Sequence, residues 1–202
     1  MKAVCFDLGN VIFLIDFTPF KKTLVHYFGG SMENAQDFID HTGPLHDLGQ
    51  INFIEEIKHY FGLKQTISEE LKKYLLLEWN KTIIIEPKMI KLINELINEK
   101  VKIFFVSNVG YEHAEYADKI LKQEIKGDYI NYFSCQLGSR KPSMLYFKTL
   151  LEMYPETKNA LYVDDLDINL EGGKKFGFRS HKFSLVGNKN IKKDLEMIKS
   201  LI

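Results

Sequence analysis

The chain has 202 residues, a length that suits one compact core of roughly 100–200 residues with room for a small inserted module. Its 45% apolar and 27% charged residues give a globular balance and exclude a disordered chain. Lys plus Arg (27) equals Asp plus Glu (27), so there is no broad electrostatic footprint for nucleic acid, and no apolar run reaches the length of a membrane span.

The first apolar run, Ala3–Phe6, has the length of a strand. Asp7 interrupts it and no small-residue cleavage site follows, so it does not read as a signal peptide. From about Thr18 to Thr82 the periodicity is helical, with no convincing strand. Thr18-Pro19 starts one helix, Asn52 caps Phe53–Phe61, and Ser68 with Glu69 and Glu70 starts another. This stretch is expected to be an all-helical cap inserted after the first strand.

Pro87 opens a helix to about Glu99 whose inner side carries Met89, Ile90, Leu92, Ile93, Leu96 and Ile97. Strand-length runs follow at Lys102–Val106, Tyr132–Cys135 and Ala160–Val163, with Phe178–Phe183 as a fifth candidate. Ser143 caps a helix carrying Leu145, Phe147, Leu150 and Leu151. Another helix spans Leu166 to Phe176, stopped by Gly177, and residues 190–202 form a closing amphipathic helix. Strands alternating with helices imply an α/β fold, a parallel sheet covered on both faces. Residues 1–17 and 83–202 would build it, with the cap at 18–82. Cys5 and Cys135 lie in apolar runs and read as buried free thiols, which fits a reducing compartment and a cytoplasmic location.

In an open α/β sheet, ligands bind outside the carboxyl ends of the strands. The polar groups expected there are Asp7, Ser107-Asn108, Lys141 and Asp164-Asp165. Each alone has a bland role: a turn or cap residue, a solvated lysine, an acidic helix start. Together, three carboxylates and a lysine can hold a hard divalent cation and a phosphate, and magnesium prefers such oxygen ligands.

In this order the residues resemble the motifs of the haloacid dehalogenase (HAD) superfamily. Phe6-Asp7-Leu8-Gly9-Asn10-Val11-Ile12 is similar to the first, Val106-Ser107-Asn108 to the second, Arg140-Lys141-Pro142 to the third, and Val163-Asp164-Asp165 with Asn169 to the fourth. The resemblance spans nearly the whole chain. The branch it points to includes bacterial α-glucose-1-phosphate phosphatase and the amino-terminal domain of soluble epoxide hydrolase. The turn His46–Ile51, and His113 behind the second motif, are similar to that branch as well. The resemblance implies a Rossmann-like, HAD-like three-layer core with a small helical cap. It implies a phosphatase acting on a small phosphorylated metabolite, with a sugar phosphate as first expectation, and Mg2+ as cofactor. Asp7 would be the nucleophile, Ser107 and Asn108 would hold the phosphoryl group, and Lys141 would offset its charge. Asp7, the Gly9 carbonyl, Asp165 and Asp164 would hold the metal.

One position departs from the pattern. Most phosphatases of this superfamily carry a second aspartate two residues after the nucleophile, and here that residue is Gly9. General acid–base help is worth about 10²–10⁴-fold. His46, Asp47 and His113 are candidates to replace it. The departure also leaves two alternatives: a dehalogenase, whose halide leaves without a proton, or a phosphate-binding protein with weak turnover. Neither oligomeric state nor substrate identity is set by these motifs.

Overall fold

The computed structural model describes residues 2–202, so the first residue of the expected core segment 1–17 lies outside them. Strand β1 (Ala3–Phe6) is buried on both faces. The period of two sends Val4 and Phe6 into one apolar layer and Ala3 and Cys5 into the other. A tight turn follows, in which the Leu8 carbonyl accepts from the N–H groups of Ile12 (2.8 Å) and Phe13 (2.9 Å). It delivers the chain to β2 (Phe13–Ile15), which pairs antiparallel with β3 (Ile83–Ile85). Neither short strand was expected. Three residues are too few for alternation to register in a sequence.

Between β2 and β3 the chain forms four helices: α1 (Thr18–Phe28), α2 (Met32–Asp47), α3 (Phe53–Tyr60) and α4 (Glu69–Asn80). The side chains of Asn52 and Ser68 cap α3 and α4, accepting from the N–H groups of Glu55 and Leu71. Ser31 and Asn34 form a capping box on α2. The helices enclose their own apolar cluster, including Phe20, Leu24, Phe38, Phe53, Leu75 and Trp79. His46 and Asp47, expected in a turn, are the last two residues of α2.

The remaining elements are α5 (Pro87–Asn98), β4 (Lys102–Ser107), α6 (Tyr111–Glu124), β5 (Tyr129–Phe133), α7 (Ser134–Leu137), α8 (Met144–Met153), β6 (Leu161–Asp164), α9 (Asp167–Lys174), β7 (Arg179–Lys182) and α10 (Ile191–Leu201). Five strands form one parallel sheet in the order β5-β4-β1-β6-β7. Apolar residues of α5, α6 and α10 cover one face, and those of α8 and α9 cover the other. The chain leaves β1 for β4 on one side and returns to β6 on the other, so the carboxyl ends of these three strands meet at a topological switch point.

One expected strand is corrected. β5 runs over Tyr129–Phe133 rather than Tyr132–Cys135, in register with Ile103–Ser107 of β4. Ser134 ends it: its hydroxyl accepts from Val109 N–H (2.9 Å) and donates to the Asp47 carbonyl (2.6 Å), turning the chain into α7. Cys135 is therefore helical, and both cysteines are free and buried. No helix among the described residues is long and apolar enough to cross a membrane.

The helical insertion meets the sheet domain where the His46 ring lies over Gly110, the residue that opens α6. A Cβ on Gly110 would fall 2.1 Å from that ring. The Gly110→Ala variant must displace His46, an overpacking cost of about 1–3 kcal/mol. The expected result is a melting temperature lower by roughly 2–12 °C for a domain of this size, measured by thermal denaturation.

Candidate active site

Every residue singled out at a strand end reaches the same place. Asp7 leaves β1, its N–H donating to the Val163 carbonyl of β6 (2.9 Å). Ser107 ends β4, Asp164 ends β6, and Lys141 arrives on the loop before α8. Lys141 is 1% exposed. Its ammonium lies 3.0 Å from Asp7 Oδ1, 2.7 Å from Asp164 Oδ2 and 2.8 Å from the Val106 carbonyl. A lysine has three donors, and all three are used. The backbone of Lys141 is held just as firmly. Its N–H donates to Asn108 Oδ1 (2.7 Å), and Asn108 Nδ2 donates to its carbonyl (2.9 Å).

The three carboxylates differ. Asp164 is saturated: it accepts from Lys141, from the Tyr162 hydroxyl, from Leu166 N–H (2.9 Å) and from Asn169 Nδ2 (3.1 Å). Burial alone would raise its pKa, but Lys141 and these donors carry it below the ordinary range. Asp7 has fewer donors: Leu8 N–H (2.7 Å), Lys141 and Ser107. Burial wins there and lifts its pKa to about 7, against the pull of Lys141. Asp165 accepts from Asn10 Nδ2 (3.2 Å), its one side-chain donor among the described residues. Burial raises its pKa too. Oxygens of Asp7, Asp164 and Asp165 lie within 4.8 Å of one another, a spacing that could hold a metal ion. The Gly9 carbonyl accepts no hydrogen bond among the described residues.

Asn10 is the site residue that motif reading passed over. It adopts a left-handed backbone (φ 54°), accepts from Ile15 N–H through Oδ1 and donates to Asp165. It thus joins the turn after β1 to the fourth motif. The only signal in the sequence is an asparagine following a glycine, common in turns.

A cavity of about 290 Å³ opens between this cluster and the insertion, lined by Gly9, Asn10, Ser107 and Asn108 on one side and by Ile39, His46, Asp47 and Trp79 on the other. The three residues considered as substitutes for the missing acid are all there, and all are engaged. His46 Nε2 donates to Glu112 (2.7 Å). Asp47 pairs with Arg140 (3.2 Å), with burial raising its pKa. His113 Nε2 donates to the Trp79 carbonyl (2.9 Å), and its ring stacks on the indole at 4.2 Å.

Burial depresses the pKa of His113 to about 4, so it is neutral at pH 7. An unfolded imidazole titrates near 6.5. Between these values the unfolded chain binds the extra proton, so this group's contribution is complete above about pH 6.5 and is lost as pH falls toward 4. Asp7, with a raised pKa, acts in the opposite sense over a similar range. The comparison with His113→Gln isolates the histidine. In chelator, the unfolding free energy of the wild type from urea titration should fall further between pH 7 and 4.5 than that of the variant, by on the order of 2–3 kcal/mol.

Comparison with solved structures places this fold. A HAD family enzyme from Bacteroides thetaiotaomicron superposes with a TM-score of 0.78 at 20% identity, over 96% of this chain and 98% of that one. The wild-type form of that enzyme in complex with magnesium and inorganic phosphate gives 0.77 at 20% identity, over 95% and 98%. An L-2-haloacid dehalogenase from Xanthobacter autotrophicus with chloropropionic acid covalently bound gives 0.60 at 17% identity, over 100% of this chain and 88% of that one. No protein-family model and no curated protein matches the sequence. Its strand order, the insertion after β1 and the near-complete mutual coverage give the chain the fold of the haloacid dehalogenase superfamily.

Proposed function

We propose that the protein is a magnesium-dependent phosphatase that removes phosphate from a small molecule through an aspartyl-phosphate at Asp7. The observation that carries this reading is the cluster of three carboxylates around one fully buried lysine at the switch point. A donor set of oxygens alone fits a hard cation. Asp7, Asp165 and the Gly9 carbonyl would hold it. Asp164, saturated by protein donors, would fix Lys141 and support the metal from behind. Bound magnesium supplies positive charge to the transferring phosphoryl group. The magnesium and phosphate in the complex of the similar Bacteroides enzyme support the same assignment.

The side chains divide the remaining work. Leu8 N–H and Lys141 fix Asp7 Oδ1, which leaves Oδ2 to attack phosphorus. Lys141 has no donor to spare, so it acts on the phosphoryl group as a charge rather than as a hydrogen bond. The second amide hydrogen of Asn108 is left for a phosphate oxygen, and the Ser107 hydroxyl, which donates to Asp7, would turn to one once the phosphoryl group is bound. The helical insertion would close over the substrate and exclude water.

Chelation should abolish phosphate release, and added magnesium should restore it. Asp7→Asn should abolish turnover at any magnesium concentration and also weaken magnesium binding. Asp165→Asn should raise the magnesium concentration needed for half-maximal activity at least ten-fold. Turnover of a haloacid in excess chelator, with no phosphate release, would instead mark a dehalogenase.

Gly9 has room for a side chain: an added Cβ would meet nothing closer than Ile15 Cγ1 at 3.7 Å. Gly9→Asp should therefore fold and supply the missing acid. The expected outcome is a rate gain of about 10²-fold or more on simple alkyl phosphates, read from phosphate release along a leaving-group series.

A further inference from the structure

We propose that the leaving group of the substrate is a small aromatic alcohol, so that the protein cleaves aryl phosphate monoesters in preference to sugar phosphates. This rests on the phosphatase reading above and names its substrate class. Two independent features of the site lead to it.

The first is the wall of the cavity. Phe13, Ile15, Phe17, Ile39, Trp79 and Ile83 line it, next to Gly9, Ser107 and Asn108, which border the carboxylate cluster. They come from both sides: β2 and β3 at the root of the insertion, α2 and α4 within it, with Phe17 just before α1. Most polar side chains among the lining residues already hold partners within the protein; the indole N–H of Trp79 is buried without one. Asn10 is held by Asp165 and Ile15, His46 by Glu112, and Asp47 by Arg140. Ser107 is held by Asp7, Asn108 by Lys141, and His113 by Trp79. A sugar would bring several hydroxyls into this space and find few free donors or acceptors. Hydroxyls desolvated without partners are strongly selected against, whereas a flat apolar ring gains from the same walls. A volume of about 290 Å³ lies at the small end for ligand sites and suits one ring with its phosphate.

The second feature is Gly9. With no carboxyl group at this position, an ester whose leaving oxygen is strongly basic lacks a proton donor. A phenolic oxygen is far less basic than an alkoxide and departs as the anion. An apolar wall alone would admit aliphatic and aromatic alcohols equally; the missing acid selects the aromatic. In the first step Asp7 Oδ2 forms a bond to phosphorus. The bond from phosphorus to the aryl oxygen breaks, with its electron pair remaining on the phenolate. In the second, water attacks the phosphorus of the acyl phosphate, releasing hydrogen phosphate and the Asp7 carboxylate. The proton that water loses balances the one taken up by the phenolate.

The test is phosphate release with magnesium from 4-methylphenyl phosphate, glucose 1-phosphate and glucose 6-phosphate. It is paired with competitive inhibition by benzylphosphonate, which has an aromatic ring but no cleavable ester oxygen. The expected kcat/KM for the aryl ester exceeds that for glucose 1-phosphate at least 100-fold, and benzylphosphonate inhibits at least ten-fold more tightly than inorganic phosphate. The inhibition arm separates recognition by the walls from leaving-group reactivity. Phe17→Ser should cut the benzylphosphonate advantage at least five-fold while inhibition by inorganic phosphate stays within two-fold. If Phe17→Ser does not fold, the wild-type rates and inhibition constants still decide. Glucose 1-phosphate turned over as well as the aryl ester, or benzylphosphonate no tighter than phosphate, overturns the proposal and leaves the phosphatase reading standing. No magnesium-dependent release from any ester overturns both.

Discussion

The buried ammonium of Lys141 is the interaction on which the site depends. It sits between two carboxylates and a backbone carbonyl that belong to β1, β6 and β4. Taking these charges out of water is costly, and only their mutual attraction and complete hydrogen bonding offset it. Removing the cation would leave two carboxylates side by side in a closed space, a loss of about 3–5 kcal/mol for a broken buried pair. The same contacts that make the arrangement costly also fix its geometry. Three strand ends are held at one point, and the side chain of Asn108 locks the loop that delivers the lysine.

That constraint explains the division of labour among the aspartates. Asp164 spends its lone pairs on the protein and stays ionised. Asp7 has fewer donors and feels burial most. Asp165 has Asn10 as its side-chain partner among the described residues. Three chemically identical side chains thus occupy three different electrostatic settings, distinguished by how many donors the local backbone offers each.

The sheet and the cluster were legible in the sequence because both leave local marks. Ala3–Phe6 and Lys102–Val106 are buried on both faces, so their apolar runs are continuous, and each is followed at once by a polar residue. β2 and β3 left no such mark, because each is stabilised by a partner about 70 residues away rather than by its own pattern. The shift of β5 has the same origin: pairing with β4 admits Tyr129 and Ile130 and excludes Cys135. The junction with the insertion was equally hidden. His46 finds Glu112, and Trp79 is sandwiched between Phe53 at 3.9 Å and His113 at 4.2 Å, all through tertiary packing. His46, Asp47 and His113 were identified as candidates by type and place, but their partners were not.

The ladder of β2 and β3 has a consequence for how such proteins diversify. Phe13 lies opposite Ile85 and Ile15 opposite Ile83, so the chain enters and leaves the insertion through two neighbouring strands. The insertion also carries its own apolar cluster, separate from the two that cover the parallel sheet. The ladder therefore works as a socket. Any module whose ends lie one strand spacing apart, about 5 Å, could be exchanged there by recombination without moving Asp7. The chemistry would be inherited, and only the walls that choose what reaches it would be replaced.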